Sequence, residues 1–201
     1  ALWEGAGWST PTAALANLTG TLEVDLAVYS ATRAALVVAR DGDGDVGTGA
    51  DVELAYATWD GAAWSGLTWL TSDAITDSSP ALGYDAAGAP LLVWRQGEAL
   101  VQQVGWGSTP VAVRPGSSSG AVLDFDLDGA PNGNVALLGR ALPPAGADTA
   151  YAVYDAAHGS WGADNALTHD AAVEEALAPA FGADGTLALA YNKVALEYVT
   201  L

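Results

Sequence analysis

Cysteine is absent from the 201 residues, which excludes disulfides, thiolate metal ligands and a cysteine nucleophile. Basic residues are scarce: Lys and Arg total 6 against 24 Asp and Glu, a formal charge of -18. A surface of that sign repels nucleic acid and anionic membranes, so neither is expected as a partner. Charged residues make up only 15% of the chain, against about 25% in an ordinary domain. The imbalance is therefore a shortage of bases, and it suits solubility, high salt or divalent cations outside the cell. Long apolar runs are missing too. Ala34 to Ala39 is typical of them, far below the ~20 residues that cross a bilayer. No secretory leader is visible, so a cytosolic chain or a mature, trimmed one is expected.

What is present is a repeat. Trp3-Glu4-Gly5-Ala6-Gly7-Trp8 is echoed by Trp59-Asp60-Gly61-Ala62-Ala63-Trp64, then by Gly105-Trp106 and by Tyr154 to Trp161. The second aromatic advances by 56, 42 and 55 residues, a period that signals stacked units. Behind each phrase stands an apolar run, a tight Asp/Gly turn and a second apolar run. Examples are Gly83-Tyr84-Asp85-Ala86-Ala87-Gly88 before Leu91-Leu92-Val93-Trp94, and Ala180-Phe181-Gly182-Ala183-Asp184-Gly185 before Leu187 to Tyr191. Glycine accepts the positive φ of such turns, so these read as β-hairpins. A third run follows, as in Val52 to Trp59, and the Trp-led stretch such as Trp64 to Leu70 supplies a fourth strand. Only Asp170 to Leu177 approaches a helical period, and it is short.

Four-stranded antiparallel units of this length, stacked about an axis, are propeller blades. One such sheet has two apolar faces and must be covered by its neighbours, which accounts for most of the eight Trp. The expected fold is all-β: a β-propeller of four four-stranded antiparallel blades. Blade 1 spans 22–72, blade 2 79–114, blade 3 120–168, and residues 177–201 give strands a to c of blade 4. Residues 1–16 supply the outermost strand of that last sheet and close the ring. Four blades of a larger propeller would read the same way.

Trp59, Asp60, Gly61, Trp64, Pro80, Asp85, Gly88 and Trp94, with Pro179 and Gly185, make the chain resemble the Trp- and Asp-rich β-propeller repeats of secreted and surface bacterial proteins. That resemblance implies an extracellular or cell-surface location. It implies a fold more than a function, since such repeats occur in adhesins, ancillary enzyme domains and scaffolds. A four-bladed ring is similar to the haemopexin architecture, whose closing disulfide is impossible here.

Two kinds of site stand out. Arg40, Arg95 and Arg140 follow the second strand of successive units, with Asn192 in the fourth slot, near loops carrying Asp73, Asp77, Asp170, Glu174 and Glu175. They could ring a carboxylate ligand, as in sialidases, which this fold resembles. Alternatively, each Arg ties its blade to a neighbouring acidic loop. Sialidase Asp boxes are missing. Calcium is the one cofactor suggested. Asp41, Asp43 and Asp45 place carboxylates at alternate positions, with Asp51 and Glu53 to complete a cage. Asp124, Asp126, Asp128 and Asn132 are similar to the calcium loop of integrin-type propellers, or else form an ordinary turn aligned with Asp85 and Gly88. Gly116 to Gly120 matches Gly-x-Ser-x-Gly but lies in a Ser-rich loop where no nucleophile elbow is expected. His158 and His169 fall on opposite faces, too far apart to share a metal.

The function expected is a surface binding or scaffold module for protein or carbohydrate, stabilised by calcium. The alternatives are a glycoside hydrolase or sialidase-like enzyme with its site on the face formed by the b–c loops, and a subunit of a surface layer or filament that associates through blade edges.

Overall fold

A computed structural model describes residues 5–7, 9–10, 13, 15–16, 18–43, 45, 52–113, 122–130, 134–141, 148–168 and 173–194. Among these residues the chain is all-β, in four antiparallel sheets. Sheet 1 joins β1 (Thr21–Ser30), β2 (Arg33–Asp41), β3 (Val52–Trp59) and β4 (Thr68–Trp69) in sequence order. Sheet 2 repeats the pattern with β5 (Asp77–Tyr84), β6 (Pro90–Gln96), β7 (Ala99–Val104) and β8 (Val111–Ala112). Sheet 3 holds β9 (Val122–Gly129), β10 (Val135–Ala141) and β11 (Asp148–Asp155), with β12 (Ser160–Trp161) and β13 (Asn165–Ala166) both pairing β11. Sheet 4 is the hairpin of β14 (Val173–Phe181) and β15 (Leu187–Val194).

The hairpins form where expected because alternation and turn chemistry agree. Ser30 pairs Arg33 across a two-residue turn. In sheet 2 the turn closes through Gly88 N donating to Asp85 O at 2.9 Å, with Gly88 at φ 74. The outer strands are shorter than the sequence suggests. Trp64 contributes only a bridge to Trp59, and pairing resumes at Thr68. Asp77 rather than residue 79 opens sheet 2, through a bulge at Ser78–Ala81. Pro80 sits in that bulge, where its missing N–H breaks no ladder bond. From Val173 on, the stretch with a near-helical period belongs to β14, so Glu174 and Glu175 lie in a strand and not in a loop. Pairing of residues 8–15 with 195–201 falls outside the described residues.

The inner strands β1, β5, β9 and β14 succeed one another about the centre, each packed on the next. The first seam buries Ala35, Val37, Ala39 and Leu54 of sheet 1 against Leu82, Leu92 and the fully buried Trp94 of sheet 2. The second buries Ala81, Leu91 and Val93 against Phe125, Leu127, Val135 and Tyr154. Trp106 stacks on Tyr56 of the preceding sheet at 4.0 Å between centroids. Trp161 likewise reaches back, donating from Nε1 to Gln102 Oε1. Trp106 and Trp161 therefore bolt sheets 2 and 3 each to the sheet before it.

The outer strands are clasped by a second repeated device. Leu70 N donates to Leu54 O while Thr71 Oγ1 accepts from Leu54 N, both at 2.8 Å. In sheet 3, Leu167 N donates to Thr149 O at 2.8 Å and Thr168 Oγ1 accepts from Thr149 N at 2.9 Å. A threonine hydroxyl thus satisfies a buried amide at the start of the third strand, which would otherwise cost about 1–3 kcal/mol.

Candidate functional site

Inner strands of neighbouring blades share no ladder, so their amides need other partners. Carboxylates supply them. Asp25 Oδ2 accepts from Leu82 N at 2.6 Å, Asp128 Oδ2 accepts from Phe181 N at 2.6 Å, and Glu23 accepts from Ser79 N. The splay of β1, β5 and β9 leaves a cavity of about 350 Å³ between their ends, bounded by Asp25, Tyr29, Tyr84, Asp85 and Asp128.

One wall is aromatic. Tyr29 and Tyr84 stand 5.5 Å apart between centroids, inclined at 47°. Tyr29 donates its hydroxyl to Ala86 O at 3.2 Å, and the Arg33 guanidinium lies 5.6 Å from its ring. Burial pushes the Tyr84 phenol above its usual range, with the Arg33 charge opposing the rise. Gly88 makes the approach possible: a Cβ there would stand 2.7 Å from Arg33 and 3.0 Å from the Tyr29 ring. The other wall is acidic. Asp85 Oδ1 accepts from Ala87 N and Ala89 N at 2.9 and 2.8 Å, which fixes its carboxylate at the rim. A carboxylate offers about four acceptor positions, and each of these acids spends only one or two on backbone amides. The cavity thus combines an apolar platform with acceptors held still.

A second cluster lies at the opposite ends of the strands, in the seam between sheets 1 and 2. Asp77 is fully buried and Glu53 is 8% exposed. Trp94 Nε1 donates to Asp77 Oδ1 at 2.8 Å, while Asp73 accepts from Ile75 N at 2.7 Å and Gln96 Nε2 at 3.1 Å. Burial raises the Asp77 carboxyl above its ordinary range; bonds from Thr71 and Trp94 pull it down, and the Asp73 charge adds to the rise. Burial likewise raises Glu53, opposed by Thr71 and reinforced by the Asp77 charge. Each acid has one buried oxygen without a hydrogen-bond partner, and the two charges stand close enough for Asp77 to reinforce the rise at Glu53. Both carboxyls are buried in the seam between sheets 1 and 2.

The residues singled out from sequence are dispersed. Arg40 pairs Glu53 and, by alternation, falls on the Leu36 and Val38 face of sheet 1. Its Nη2 donates to Thr19 O at 2.8 Å and its guanidinium lies 5.4 Å from the Trp69 ring. Arg95 pairs Leu100 and falls on the Leu91 and Val93 face, toward sheet 3. These two do not share a slot: an offset of one residue in strand parity turns them to opposite faces. Arg140 stands opposite Asp124 and Thr149, and Asn192 is exposed opposite Glu175. Among the described residues, the acidic segment that opens sheet 2 is bonded by Gln96 at Asp73 and by Trp94 at Asp77. His158 bonds Asp155 at 2.6 Å within its own turn; His169 and Gly116 to Gly120 lie outside the described residues.

The two acidic segments also part company. Asp41 is buried at the end of β2, its Oδ1 accepting from Asp43 N at 3.0 Å, and Asp43 Oδ1 accepts from Asp45 N at 2.7 Å. Asp51 lies outside the described residues. Asp124, Asp126 and Asp128 belong to a strand, opposite Arg140, Leu138 and Ala136, and the turn comes later, where Ala130 N donates to Asn134 O. This corrects the loop reading and the alignment: the residue that matches Asp85 at the turn is Ala130. Asn132 lies outside the described residues, and among the described residues no group of three or more His, Cys, Asp or Glu could hold a metal.

Tyr29 and Tyr84 are not among those residues, and one signal in the sequence marks them: each precedes the first hairpin turn of its unit.

No protein-family model matches the chain, and no curated protein does. Among solved structures the fold is similar to the α-L-arabinofuranosidase PaAbf62A from Podospora anserina in complex with cellotriose, at 13% identity and TM-score 0.50, over 90% of this chain and 66% of that one. It is also similar to AofleA from Arthrobotrys oligospora, in a form with three arginines changed to alanine, at 15% identity and TM-score 0.53, over 94% of this chain and 50% of that one. Both are β-propellers. The chain spans half to about two thirds of their length, and its fold is that of a propeller-like β domain.

Proposed function

We propose that the protein is a surface carbohydrate-binding module whose ligand occupies the cavity between β1, β5 and β9. The observation that carries this reading is the pairing of the Tyr29–Tyr84 wall with the fixed carboxylates of Asp25, Asp85 and Asp128. Sugars present an apolar ring face with hydroxyl donors at the edge, and this lining offers a surface for each. The sign of charge narrows the class. Three carboxylates in a chain of net charge -18 disfavour uronic or sialic acids and favour neutral oligosaccharides. The similarity to an arabinofuranosidase solved with cellotriose supports a sugar ligand by analogy of fold alone.

Binding rather than hydrolysis is favoured because the carboxyl pair with raised affinity for protons, Glu53 and Asp77, is sealed in a seam away from the cavity. The ring closes, in this reading, when the N-terminal strand completes the last sheet. Calcium enters only at Asp41, Asp43, Asp45 and Asp51. A melt in calcium against one in chelator tests it: a raised midpoint supports the ion, and an unchanged one removes it. Calorimetry with neutral cello-, xylo- and arabino-oligosaccharides tests the ligand. Binding weakened at least tenfold by Tyr29→Ala is expected, while binding untouched by that change, or confined to anionic sugars, contradicts the assignment.

A further inference from the structure

The carboxylates that bound the cavity accept hydrogen bonds and, when ionised, donate none. Asp25 accepts from Leu26 and Leu82, Asp128 from Phe181, and Asp85 from Ala87 and Ala89. Tyr29 directs its hydroxyl proton to Ala86 O. A sugar hydroxyl that donates to one of these acids keeps two lone pairs. Acceptors alone leave those lone pairs bare, and a polar atom buried without a partner is costly. A neutral sugar held here therefore calls for a donor beside the acids.

Arg33 stands where such a donor is needed. It opens β2 directly after the first hairpin turn, opposite Ser30. The other units open the same strand with Pro90, Val135 and Leu187, so a cation here departs from the repeat. Alternation with Ala35 and Val37 turns Arg33 to the face of sheet 1 that meets sheet 2. Its guanidinium lies 5.6 Å from the Tyr29 ring, and its Nη1 would stand 2.7 Å from a Cβ on Gly88. The Arg33 charge is also felt at the Tyr84 phenol. The side chain is exposed, and among the described residues its guanidinium has no hydrogen-bond or ion-pair partner. It rests against the aromatic wall with a fork of N–H donors to offer.

We propose that Arg33 is a specificity-determining residue of the cavity, donating from its fork to two adjacent free hydroxyls of a neutral sugar whose protons go to the carboxylates. This rests on the cavity as the sugar site and adds which feature of the sugar is read. A planar guanidinium meets two neighbouring oxygens at once, whereas an ammonium meets them as a single point charge. A site built to hydrogen-bond a hydroxyl rejects the analogue that lacks it. In a β-1,4-linked glucose chain the adjacent free hydroxyls of an internal unit are those at C2 and C3. An acetamido group at C2 removes that pair while leaving the sugar neutral, so the ligand class is the unsubstituted sugar and not its 2-acetamido counterpart.

Calorimetry on the full chain with cellotetraose and with tetra-N-acetylchitotetraose, which share a linkage and differ at C2, tests the assignment. The wild type should bind cellotetraose about tenfold more tightly. Arg33→Lys and Arg33→Ala change an exposed residue, so both should keep the circular dichroism and melting temperature of the wild type. Each should weaken cellotetraose about tenfold and bring the two sugars to nearly equal affinity. A residue that only braces Tyr29 would weaken both sugars alike and leave their ratio unchanged, and that result overturns the inference. Equal binding of the two sugars by the wild type, or binding of neither, overturns it as well. Tyr29→Ala separates this inference from the reading beneath it. Binding lost in Tyr29→Ala but unaltered in Arg33→Ala removes Arg33 and leaves the cavity; binding unaltered in both removes the two together.

Discussion

Asp77 and Trp94 meet in the core of the first seam, and separating them should be measurable. Trp94→Phe removes the Nε1 donor from Asp77 Oδ1, a 2.8 Å bond, and leaves a gap where a fully buried indole stood. A hydrogen bond to a charged acceptor contributes about 1.5–3 kcal/mol, and the lost ring adds about 1 kcal/mol or more. The expected loss is about 3 kcal/mol, or roughly 6–12 °C in melting temperature for a chain of this size. Asp77→Asn acts in the other direction. It keeps an acceptor for Trp94, removes a buried charge and can donate to the Glu53 oxygen that no donor reaches. Both carboxyls are raised, chiefly by burial, so the folded state holds protons that the unfolded state has released. Stability contributed by that retention is present below the ordinary carboxyl range, about 4, and is lost as pH rises through the raised values. Urea unfolding from pH 4 to 8 should therefore show the advantage of Asp77→Asn, and of Glu53→Gln, growing with pH. Parallel curves for wild type and both variants would refute the account in which burial raises both carboxyls.

Gly88→Ala should cost about 1–2 kcal/mol from the positive φ alone. It should also weaken sugar binding several-fold, since the new methyl displaces Tyr29 and Arg33; unchanged affinity by calorimetry would separate the turn from the cavity. Thr71→Val and Thr168→Val each strip the acceptor from a buried amide and should cost about 1–3 kcal/mol in chemical unfolding, with nearly additive effects because the clasps lie in different sheets.

Much of the fold was legible because strand alternation, turn chemistry and the aromatic period agree with one another. Val52 to Trp59 emerges as β3 with the same ends, and the turn at Asp85 to Gly88 follows from residues that accept its geometry. β9 was not legible in the same way. Asp124, Asp126 and Asp128 drew attention as ligands, whereas Phe125 and Leu127 between them are the period-two residues that fill the second seam. The arginines misled for a related reason: recurrence fixes the spacing of Arg40 and Arg95 along the chain, but one step of parity decides which face each joins. The cavity depends on how three inner strands splay, and no local pattern encodes that. Only Tyr29 and Tyr84, each just before a hairpin turn, marked its place.

Amide hydrogen exchange with and without a bound neutral oligosaccharide addresses the ligand face most directly. The cavity assignment predicts new protection at residues 25–29, 82–86 and 127–130. Protection at Arg40, Arg95 and the loop before Asp77, with none along the inner strands, would place the ligand on the opposite face and contradict it.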